Sequence, residues 1–597
     1  MYTYDKPDNL VEMFEQSLAR HADRPLFGTA DQEGVFSWVT YSEVGKRIDD
    51  LRAGLAQLGV KAGDAVGIIA NNRTEWGIAA FATFGLGGRF IPMYEKELAR
   101  IWKHIINDGN IKVLFVANED VFLGVQRFRD EIPGLEHVFL IDGTSATNMA
   151  DIEEKGRSNP VPSIRPKPSD IAVLIYTSGT TGDPKGVLLS HGNFTSNHLA
   201  GAAMFPELNQ ESRSLSILPW AHSYGQTAEF YNFIHLGGSI GFVRDVTTLG
   251  EDMANVAPTF LIAVPRVFNK IYDGLWAKMN ETGGLALKLF TMGIESAARL
   301  RELSAQGKSG LIPRLKYKLA DRVVFSKIRQ RFGGRLKGAL TASAMMNMEV
   351  AQFFTDIGLP VFDAYGLTET SPAVTMNNRA ANKPGSVGSP IDKVRVVIDN
   401  FAGEGDEGEV IVYGPNVMQG YHNKPEATRE VMTEDGGFRT GDLGRLDEDG
   451  FLFITGRIKE QYKLENGKYV FPASLEEEIQ MSPWVENVLI YGEGRSYNIC
   501  LIVPDFLKLS AWAKEQGMEA TTPDKLIALA EVESMIKESI TSHLRDKFGG
   551  YEIPKKIILV DEPFSVDNGM LTQTLKLKRR KVVERYENRI NEAYGSA

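Results

Sequence analysis

A polar loop at residues 176–187 carries the residue types that bind phosphate. It reads Tyr-Thr-Ser-Gly-Thr-Thr-Gly-Asp-Pro-Lys-Gly-Val and directly follows an apolar segment, residues 171–175, that is predicted to form a strand. Glycines let backbone N–H groups turn toward an anion, and hydroxyls supply further hydrogen-bond donors. Lys185 adds a positive charge on a long side chain. The loop is therefore predicted to cradle a phosphate group.

The loop differs from the phosphate-binding loop of Walker A type. That pattern needs Gly-Lys-Ser/Thr after four spacer residues, and here Pro184 stands where its second glycine would be. A flexible turn is the simplest alternative. It would explain the glycines, but not a run of hydroxyls together with a lysine.

Five further blocks follow in order: 218–222 (Leu-Pro-Trp-Ala-His), 364–370 (Ala-Tyr-Gly-Leu-Thr-Glu-Thr), 439–443 (Arg-Thr-Gly-Asp-Leu), 456–459 (Gly-Arg-Ile-Lys) and 571–576 (Leu-Thr-Gln-Thr-Leu-Lys). With the loop, they resemble the signature blocks of the adenylate-forming superfamily, which contains acyl-CoA synthetases, luciferases and peptide-synthetase adenylation domains. The blocks span almost the whole chain. The length, the insertion at 283–337 and the final block are similar to those of long-chain fatty acyl-CoA synthetases.

This resemblance implies a ligase that uses ATP, Mg²⁺ and CoA. A fatty acid, expected to be long-chain, would react with ATP to give acyl-AMP and pyrophosphate, and CoA would then take the acyl group as a thioester. Two alternatives stay open within the superfamily: a ligase for medium-chain, aryl or terpenoid acids, and a ligase that acylates a carrier protein. A third alternative is a nucleotide- or acyl-binding protein without turnover.

The resemblance also implies which residues contact the nucleotide and the metal. Lys185 and the loop hydroxyls would address the β- and γ-phosphates, Thr368 the α-phosphate, and Glu369 with Thr177 the Mg²⁺ ion; Glu369 could instead be an ordinary helix-start carboxylate. The expected nucleotide contacts are Thr177, Ser178, Gly179, Thr180, Thr181, Gly182, Lys185, Tyr365, Gly366, Thr368, Asp442, Arg457 and Lys576.

Three of these positions have more specific expected roles. Tyr365 would stack on adenine, although a buried core tyrosine is the competing interpretation. The Asp442 carboxylate could accept hydrogen bonds from both ribose hydroxyls, with Arg457 beside it. Lys576 would stabilise the charge that develops at the α-phosphate, so that Lys576, Glu369, Thr368 and Lys185 form the expected catalytic set.

The second half-reaction requires a thiol to reach the acyl carbonyl, and a lysine at that point would block its approach. The resemblance therefore implies a mobile C-terminal lid that hinges at Lys459 and brings Gly467 near the pantetheine arm. Trp220, His222 and Tyr224 lie in the block that borders the acyl pocket in similar proteins. A gating role for His222 and an ordinary core position are equally favoured.

Composition limits the other classes of function. The chain has 597 residues, of which 43% are hydrophobic and 24% charged, which is typical of a globular protein with at least two domains. Because 77 acidic residues outnumber 66 basic ones, a general nucleic-acid-binding surface is not expected. Cys500 is the single cysteine, which excludes disulfides within the chain and cysteine-based zinc sites.

The sequence also gives expectations for the location and the partners. The N-terminal residues show no signal pattern, and no apolar run is long enough to span a bilayer. A cytoplasmic protein is expected, with possible peripheral contact at the inner membrane surface. The expected partners are a small carboxylic acid, ATP and CoA, and a homodimer is one option for the oligomeric state.

The order of helical and strand patterns predicts an α/β fold. A large layered N-terminal core is expected at 1–457, with a small β subdomain at about 385–457, followed by a small mobile α+β domain at 458–597. Specific predicted elements include a helix at 44–58, strands at 65–69, 112–116, 215–218 and 408–413, and C-terminal helices at 473–480 and 534–548.

Residues 311–337 form an unusually basic segment, with nine basic residues and Asp321 as the single acidic one. Apolar residues are interleaved with the charges. A solvated helical hairpin is the favoured interpretation, and docking on an anionic membrane is the functional alternative.

Overall fold

The computed structural model describes residues 6–177, 183–400, 406–518, 522–545, 547–572 and 576–595. The chain divides into two compact units. The first comprises Met1–Val397, Ile411–Thr440 and Leu446–Leu452, and the second comprises Ile398–Val410, Gly441–Arg445 and Phe453–Ala597. The predicted α/β class is confirmed, with a large N-terminal part and a smaller C-terminal part.

The largest sheet of the first unit has seven strands among the described residues. Its central strands are parallel and strongly apolar, as expected for a sheet that is covered on both faces. In spatial order the strands are Gly420–Tyr421, Lys185–Ser190, Ile171–Thr177, Arg89–Met93, Ala65–Ile69, Ile111–Val116 and His137–Leu140.

Two further sheets complete the layers of the first unit. One contains, in order, Phe36–Thr40, Pro25–Ala30, Ser239–Phe242 and Arg213–Ser216. The other contains Phe260–Ala263, Gly338–Thr341, Val361–Gly366, Ala373–Met376 and Ser389–Pro390.

Helices cover these sheets, and every residue of Thr74–Gly85 except Glu75 is buried. The remaining α-helices of the first unit are Leu10–His21, Tyr41–Gln57, Ala99–Asp108, Glu119–Gln126, Met149–Arg157, His191–Met204, Asn232–His235, Leu249–Val256, Pro265–Thr282, Gly284–Ala305, Leu311–Ala320, Ser326–Arg331, Met348–Asp356 and Pro425–Val431. Two π-helical segments, Gly225–Tyr231 and Asp321–Phe325, and the short 3₁₀ helices Arg129–Glu131, Val246–Thr248 and Thr368–Thr370 add to them.

Four strands form a sheet in the order Arg395–Asp399, Gly408–Tyr413, Phe438–Leu446 and Leu452–Arg457. The division between the two units falls within these strands. The strand predicted at 408–413 lies in this sheet with the predicted bounds.

The second unit contains a hairpin, a three-stranded sheet and packed helices. The hairpin strands are Tyr462–Lys463 and Tyr469–Val470, and the sheet strands are Val485–Tyr491, Ile499–Pro504 and Lys556–Leu559. The helices are Pro472–Ile479, Phe506–Glu515, Pro523–Ile527, Ala530–Leu544, Arg579–Arg585 and Glu587–Tyr594. Cys500 is fully buried as a member of one apolar cluster of this unit.

None of the helices in the described part of the chain combines the length and the apolarity that crossing a bilayer requires.

Candidate active site

The predicted phosphate loop closes a β-hairpin, which we call the phosphate hairpin. Its strands, Ile171–Thr177 and Lys185–Ser190, pair antiparallel, and Thr177 lies opposite Lys185. The candidate metal contact and the candidate phosphate lysine are therefore neighbours at the end of the ladder. The predicted contacts Ser178, Gly179, Thr180, Thr181 and Gly182 lie outside the described residues.

The base of the phosphate hairpin is fixed to the helix Ala99–Asp108. The Nε2 atom of His104 lies 3.0 Å from the carbonyl oxygen of Pro184, and the Tyr176 hydroxyl donates to the Asp108 carboxylate at 2.7 Å. Burial, the hydrogen bond to Asp108 and its charge raise the pKa of Tyr176, which keeps the phenol protonated as a donor. These contacts tie both strands of the phosphate hairpin to this helix next to Thr177 and Lys185.

Tyr421 connects the candidate phosphate lysine to the candidate metal ligand. Its hydroxyl donates to Glu369 Oε1 at 2.8 Å, and the Lys185 ammonium lies 5.0 Å from the centre of its ring. Burial, the charge of Glu369 and the hydrogen bond to Glu369 raise the pKa of Tyr421. A protonated phenol thus orients one carboxylate oxygen while its ring face attracts the lysine.

The strand Gly420–Tyr421 brings this tyrosine to the site. It pairs antiparallel with Lys185–Ser190, so that Tyr421 lies opposite Val187, and the Met418 amide donates to the Glu369 carbonyl oxygen at 2.8 Å. Segments that are far apart in sequence are therefore locked into one cluster. We call Lys185, Tyr421 and Glu369 the lysine–tyrosine–glutamate cluster.

The cluster fits a magnesium ion that is held mainly by phosphate. No group of three or more His, Cys, Asp or Glu side chains suited to a metal occurs within the described ranges. Mg²⁺ is commonly bound through one or two carboxylates and keeps phosphate oxygens and waters as its other ligands. One half-buried Glu369, with Thr177 at the end of the adjacent strand, matches that requirement.

The turn after the strand Val361–Gly366 presents Thr368 next to this cluster. Thr368 is buried, and its Oγ1 lies 3.2 Å from Ser223 Oγ. Gly366 is required by close packing, since a Cβ atom there would lie 1.9 Å from the Pro372 carbonyl oxygen. The Leu367 amide donates to Thr370 Oγ1 at 3.0 Å and closes the turn.

Tyr365 is half-buried at the end of the same strand, where it pairs with Thr375. Two residues earlier, burial raises the pKa of the Asp363 carboxyl well above its ordinary value. The edge of the sheet that is predicted to meet adenine therefore carries one aromatic ring and one carboxyl with a reduced tendency to ionise.

The three predicted acyl-pocket residues differ in their surroundings. Trp220 is fully buried, and its indole donates to Glu229 Oε2 at 2.9 Å within a cluster of aromatic rings. Tyr224 is also buried and donates to the Leu340 carbonyl oxygen at 2.9 Å. His222 is half-buried, and its Nδ1 atom accepts the Tyr224 amide at 3.2 Å, which places a ring proton on Nε2.

The predicted ribose and nucleotide residues of the second unit form an ion pair. Arg457 Nε lies 2.7 Å from Asp442 Oδ1, and Asp442 is buried while Arg457 is about half exposed. The Ile458 amide donates to the Gly441 carbonyl oxygen at 2.9 Å, which ties the end of one strand to the other. The carboxylate is therefore held in a defined orientation by a charged partner.

The residue predicted as the hinge and the residue predicted to approach the pantetheine arm of CoA both lie in turns of the second unit. Lys459 is exposed in the turn that follows Leu452–Arg457. Gly467 lies in the hairpin turn with φ of 81°, a conformation that favours glycine.

Lys576 lies in the second unit and is joined to Thr572 by two hydrogen bonds. Its backbone N–H donates to Thr572 Oγ1 at 2.9 Å, and the Thr572 N–H donates to its carbonyl oxygen at 2.8 Å. Three residues later, Arg579 donates through both terminal nitrogens to Glu476 at 2.7 Å. The segment that carries Lys576 is thus anchored on both sides.

Sequence reasoning missed Tyr421, His104 and Ser223. Tyr421 lies in a Gly-Tyr-His segment that has no charge pattern, and its importance comes only from strand pairing across the fold. His104 lies outside the motif blocks of the sequence. No local signal in the sequence predicts their proximity to the phosphate hairpin.

Comparison with known proteins places this arrangement in a class. The sequence family described as AMP-binding enzyme matches residues 14–422, and its C-terminal domain family matches residues 459–597. The chain belongs to the AMP-binding enzyme family, whose members are adenylate-forming.

The similar proteins cover nearly the full length of the chain. The long-chain-fatty-acid–CoA ligase 5 of Rattus norvegicus is 32% identical over 629 residues, covering 100% of this chain and 90% of the relative. The long-chain-fatty-acid–CoA ligase FadD15 of Mycobacterium tuberculosis is 32% identical over 611 residues, covering 99% and 98%. The crystal structure of the adenylation domain of a carboxylate reductase from Mycobacterium chelonae superimposes with a TM-score of 0.79 at 22% identity, covering 98% of this chain and 91% of that one.

Proposed function

We propose that this chain is an ATP-dependent fatty acid–CoA ligase that forms AMP. It activates a long-chain fatty acid to acyl-AMP with release of pyrophosphate, and it then transfers the acyl group to CoA as a thioester. The observation that carries the proposal is the end-to-end similarity, at 32% identity, to proteins named long-chain-fatty-acid–CoA ligases. The phosphate hairpin and its cluster of charged residues support it.

The first half-reaction joins two anions, a carboxylate and the α-phosphate of ATP. Cationic groups must neutralise both and hold them in line. In this proposal Lys185 and the hairpin hydroxyls bind the β- and γ-phosphates, and Thr368 lies at the α-phosphate. Glu369 and Thr177 would hold Mg²⁺, which supplies charge neutralisation to the phosphates when bound.

The remaining assignments concern the second unit. Asp442, oriented by Arg457, binds the ribose hydroxyls, and Lys576 stabilises the charge at the α-phosphate. The proposed domains are 1–457 and 458–597, with a change of conformation at Lys459 before thioester formation. Gly467 is assigned to the CoA-binding loop.

The substrate assignment favours long-chain fatty acids over the alternatives within the superfamily, because the full-length relatives carry that name. Retention of Lys185, Glu369, Asp442, Arg457 and Lys576 argues against a binding protein without turnover. His222 and Tyr224 are proposed to border the acyl carboxylate, and Trp220 to support them from the core.

A cytoplasmic location with peripheral membrane contact completes the proposal, since long-chain fatty acids partition into bilayers. A homodimer is the proposed oligomeric state, and analytical ultracentrifugation would test it.

Pyrophosphate release tests the proposed function. It is measured with acetate, octanoate, oleate and benzoate, each with and without CoA. We expect the highest kcat/KM with oleate and a dependence of turnover on CoA. Preference for benzoate or octanoate would favour the alternative ligases, and no release with any acid would favour a binding protein.

A further inference from the structure

We propose that the helix Leu311–Ala320 is an interfacial helix that docks this protein on an anionic lipid bilayer. The proposal goes beyond the ligase activity, because it assigns a separate surface of the first unit to a partner of defined chemistry. It depends on the exposure and the arrangement of the apolar residues of this helix.

The helix presents an unusual number of large apolar side chains to solvent. Their exposed fractions are 73% for Leu311, 67% for Ile312, 58% for Leu315 and 51% for Leu319, and Val323 in the following turn is 37% exposed. Single exposed leucines are ordinary, but a contiguous row of them marks an interaction site.

These side chains share one face. At 3.6 residues per turn, Leu311, Ile312, Leu315 and Leu319 fall within an arc of about 100°. Ala320, which is buried, and Tyr317, which donates to the Asp356 carbonyl oxygen at 2.9 Å, lie on the opposite side. The apolar row therefore points away from the protein core.

Basic residues flank the apolar row on both sides. At the same helical spacing Lys316 lies on one side, and Lys318 and Arg314 lie on the other. Arg322 follows in the π-helical segment, four residues after Lys318, and all four are exposed. Among the residues that the structure describes, none of these four cations takes part in an ion pair. The nearby acidic residue of the segment, Asp321, pairs with Arg329 at 2.6 Å.

Charge complementarity indicates that the partner of this helix surface is an anionic bilayer. Segment 311–337 carries nine basic residues and one acidic residue, although the whole chain has a formal charge of −11. An apolar stripe bordered by Lys and Arg is the arrangement with which helices lie in the headgroup region, and anionic lipids attract each basic residue near the surface. A solvated hairpin would explain the charges but not the outward row of leucine and isoleucine.

Vesicle co-sedimentation without substrate tests the proposal, so the result does not depend on the ligase activity. Full-length protein is mixed with vesicles of phosphatidylcholine alone or of phosphatidylcholine with phosphatidylglycerol. We expect binding to the anionic vesicles only, and a fall in binding as salt is raised.

Two variants separate the charges from the apolar row. Lys316→Glu/Lys318→Glu/Arg322→Glu and Leu315→Ser/Leu319→Ser should each lower the partition coefficient at least about tenfold. The matched controls, Lys46→Glu/Lys61→Glu/Lys167→Glu and Val246→Ser/Leu507→Ser, change exposed residues elsewhere and should bind like the unchanged protein. Equal melting temperatures confirm that each variant is folded.

Three outcomes would overturn the proposal. The protein fails to bind anionic vesicles at low salt, both helix variants still bind them, or the control variants lose as much vesicle binding as the helix variants. The unchanged protein could also fail to bind vesicles but form a concentration-dependent dimer that Leu315→Ser/Leu319→Ser abolishes. That result would overturn the proposal and assign the apolar row to a contact with a second copy of this chain.

Discussion

The hydroxyl of Tyr421 donates a hydrogen bond to the carboxylate of Glu369, although 52 positions separate the two residues in sequence. The same ring lies under the Lys185 ammonium, so one residue positions both the carboxylate proposed for Mg²⁺ and the cation proposed for phosphate. Tyr421 is thus a positioning residue for the proposed adenylation.

Tyr421→Phe keeps the ring and removes the hydrogen bond to Glu369. We expect the Mg²⁺ concentration for half-maximal activity to rise about tenfold or more, because one neutral donor to a charged group contributes about 1.5–3 kcal/mol. The KM for the fatty acid should stay unchanged. Tyr413→Phe, which removes an exposed hydroxyl at 3.0 Å from Asp435, is the matched control. An unaltered Mg²⁺ dependence would contradict the role given to Tyr421.

Gly366→Ala should prevent the turn that presents Thr368. A Cβ atom 1.9 Å from a backbone oxygen forces the main chain to move, and we expect a loss of about 3 kcal/mol or more in the free energy of unfolding. Thermal unfolding measures the effect. Gly250→Ala, where a Cβ atom would meet nothing within 4 Å, should leave the melting temperature almost unchanged. A stable Gly366→Ala protein would show that the turn is mobile.

Three buried histidines predict acid sensitivity of the first unit. Burial lowers the pKa of His191 to about 4 and of His235 to about 4, and burial with the neighbouring His235 lowers the pKa of His198. Because the folded pKa values lie below the unfolded value of 6.5, the folded form binds fewer protons. Stability is therefore complete above pH 6.5 and falls as pH drops toward 4, by up to about 2 kcal/mol per histidine at pH 5.

His198→Leu tests this directly. The two ring nitrogens of His198 have no hydrogen-bond partner among the described residues, so an apolar side chain suits the site. The difference in melting temperature between pH 7.5 and pH 5 should shrink in the variant. His137→Gln, at a half-exposed histidine, should leave the difference as it is. The same shrinkage in both variants would contradict the assignment.

Lys576→Ala should separate the two half-reactions. Loss of a cation that stabilises developing charge costs about 10²–10³ in rate, so acyl-AMP formation should fall by that factor. Thioester formation from supplied acyl-AMP should largely survive. Lys581→Ala changes a nearby exposed lysine that pairs with Glu584, and both half-reactions should persist. Equal loss of both half-reactions in Lys576→Ala would contradict the proposed role of Lys576 in acyl-AMP formation.

Lys459→Pro should affect the two half-reactions in the opposite way, with loss of thioester formation. Proline at the proposed hinge restricts the backbone rotation that thioester formation requires, while acyl-AMP formation should be retained. Rapid-quench assays of each step measure the difference. Full thioester activity in this variant would place the hinge elsewhere.

The fold was predictable where apolar patterns end at clear turns. The strands Ala65–Ile69 and Gly408–Tyr413 have the predicted bounds, because each buried run directly follows an acidic residue and ends before a small residue, Ala70 or Gly414. The helix predicted at 534–548 lies at Ala530–Leu544, since Leu529 at its N-cap gives no capping signal in the sequence.

The site was predictable in its residue types but not in its contacts. Motifs identified Lys185 and Glu369, whereas Tyr421 and His104 reach the phosphate hairpin only through strand pairing and helix packing. Such long-range contacts depend on the assembled sheet and leave no periodic pattern in the chain.

Direct detection of the acyl-adenylate tests the central claim. Purified protein is incubated with magnesium, ATP and oleate in the absence of CoA, and the products are separated by mass spectrometry. We predict oleoyl-AMP with an equal amount of pyrophosphate, followed by conversion to oleoyl-CoA and AMP when CoA is added. Failure to form an acyl-AMP from oleate or any other carboxylic acid would contradict the account.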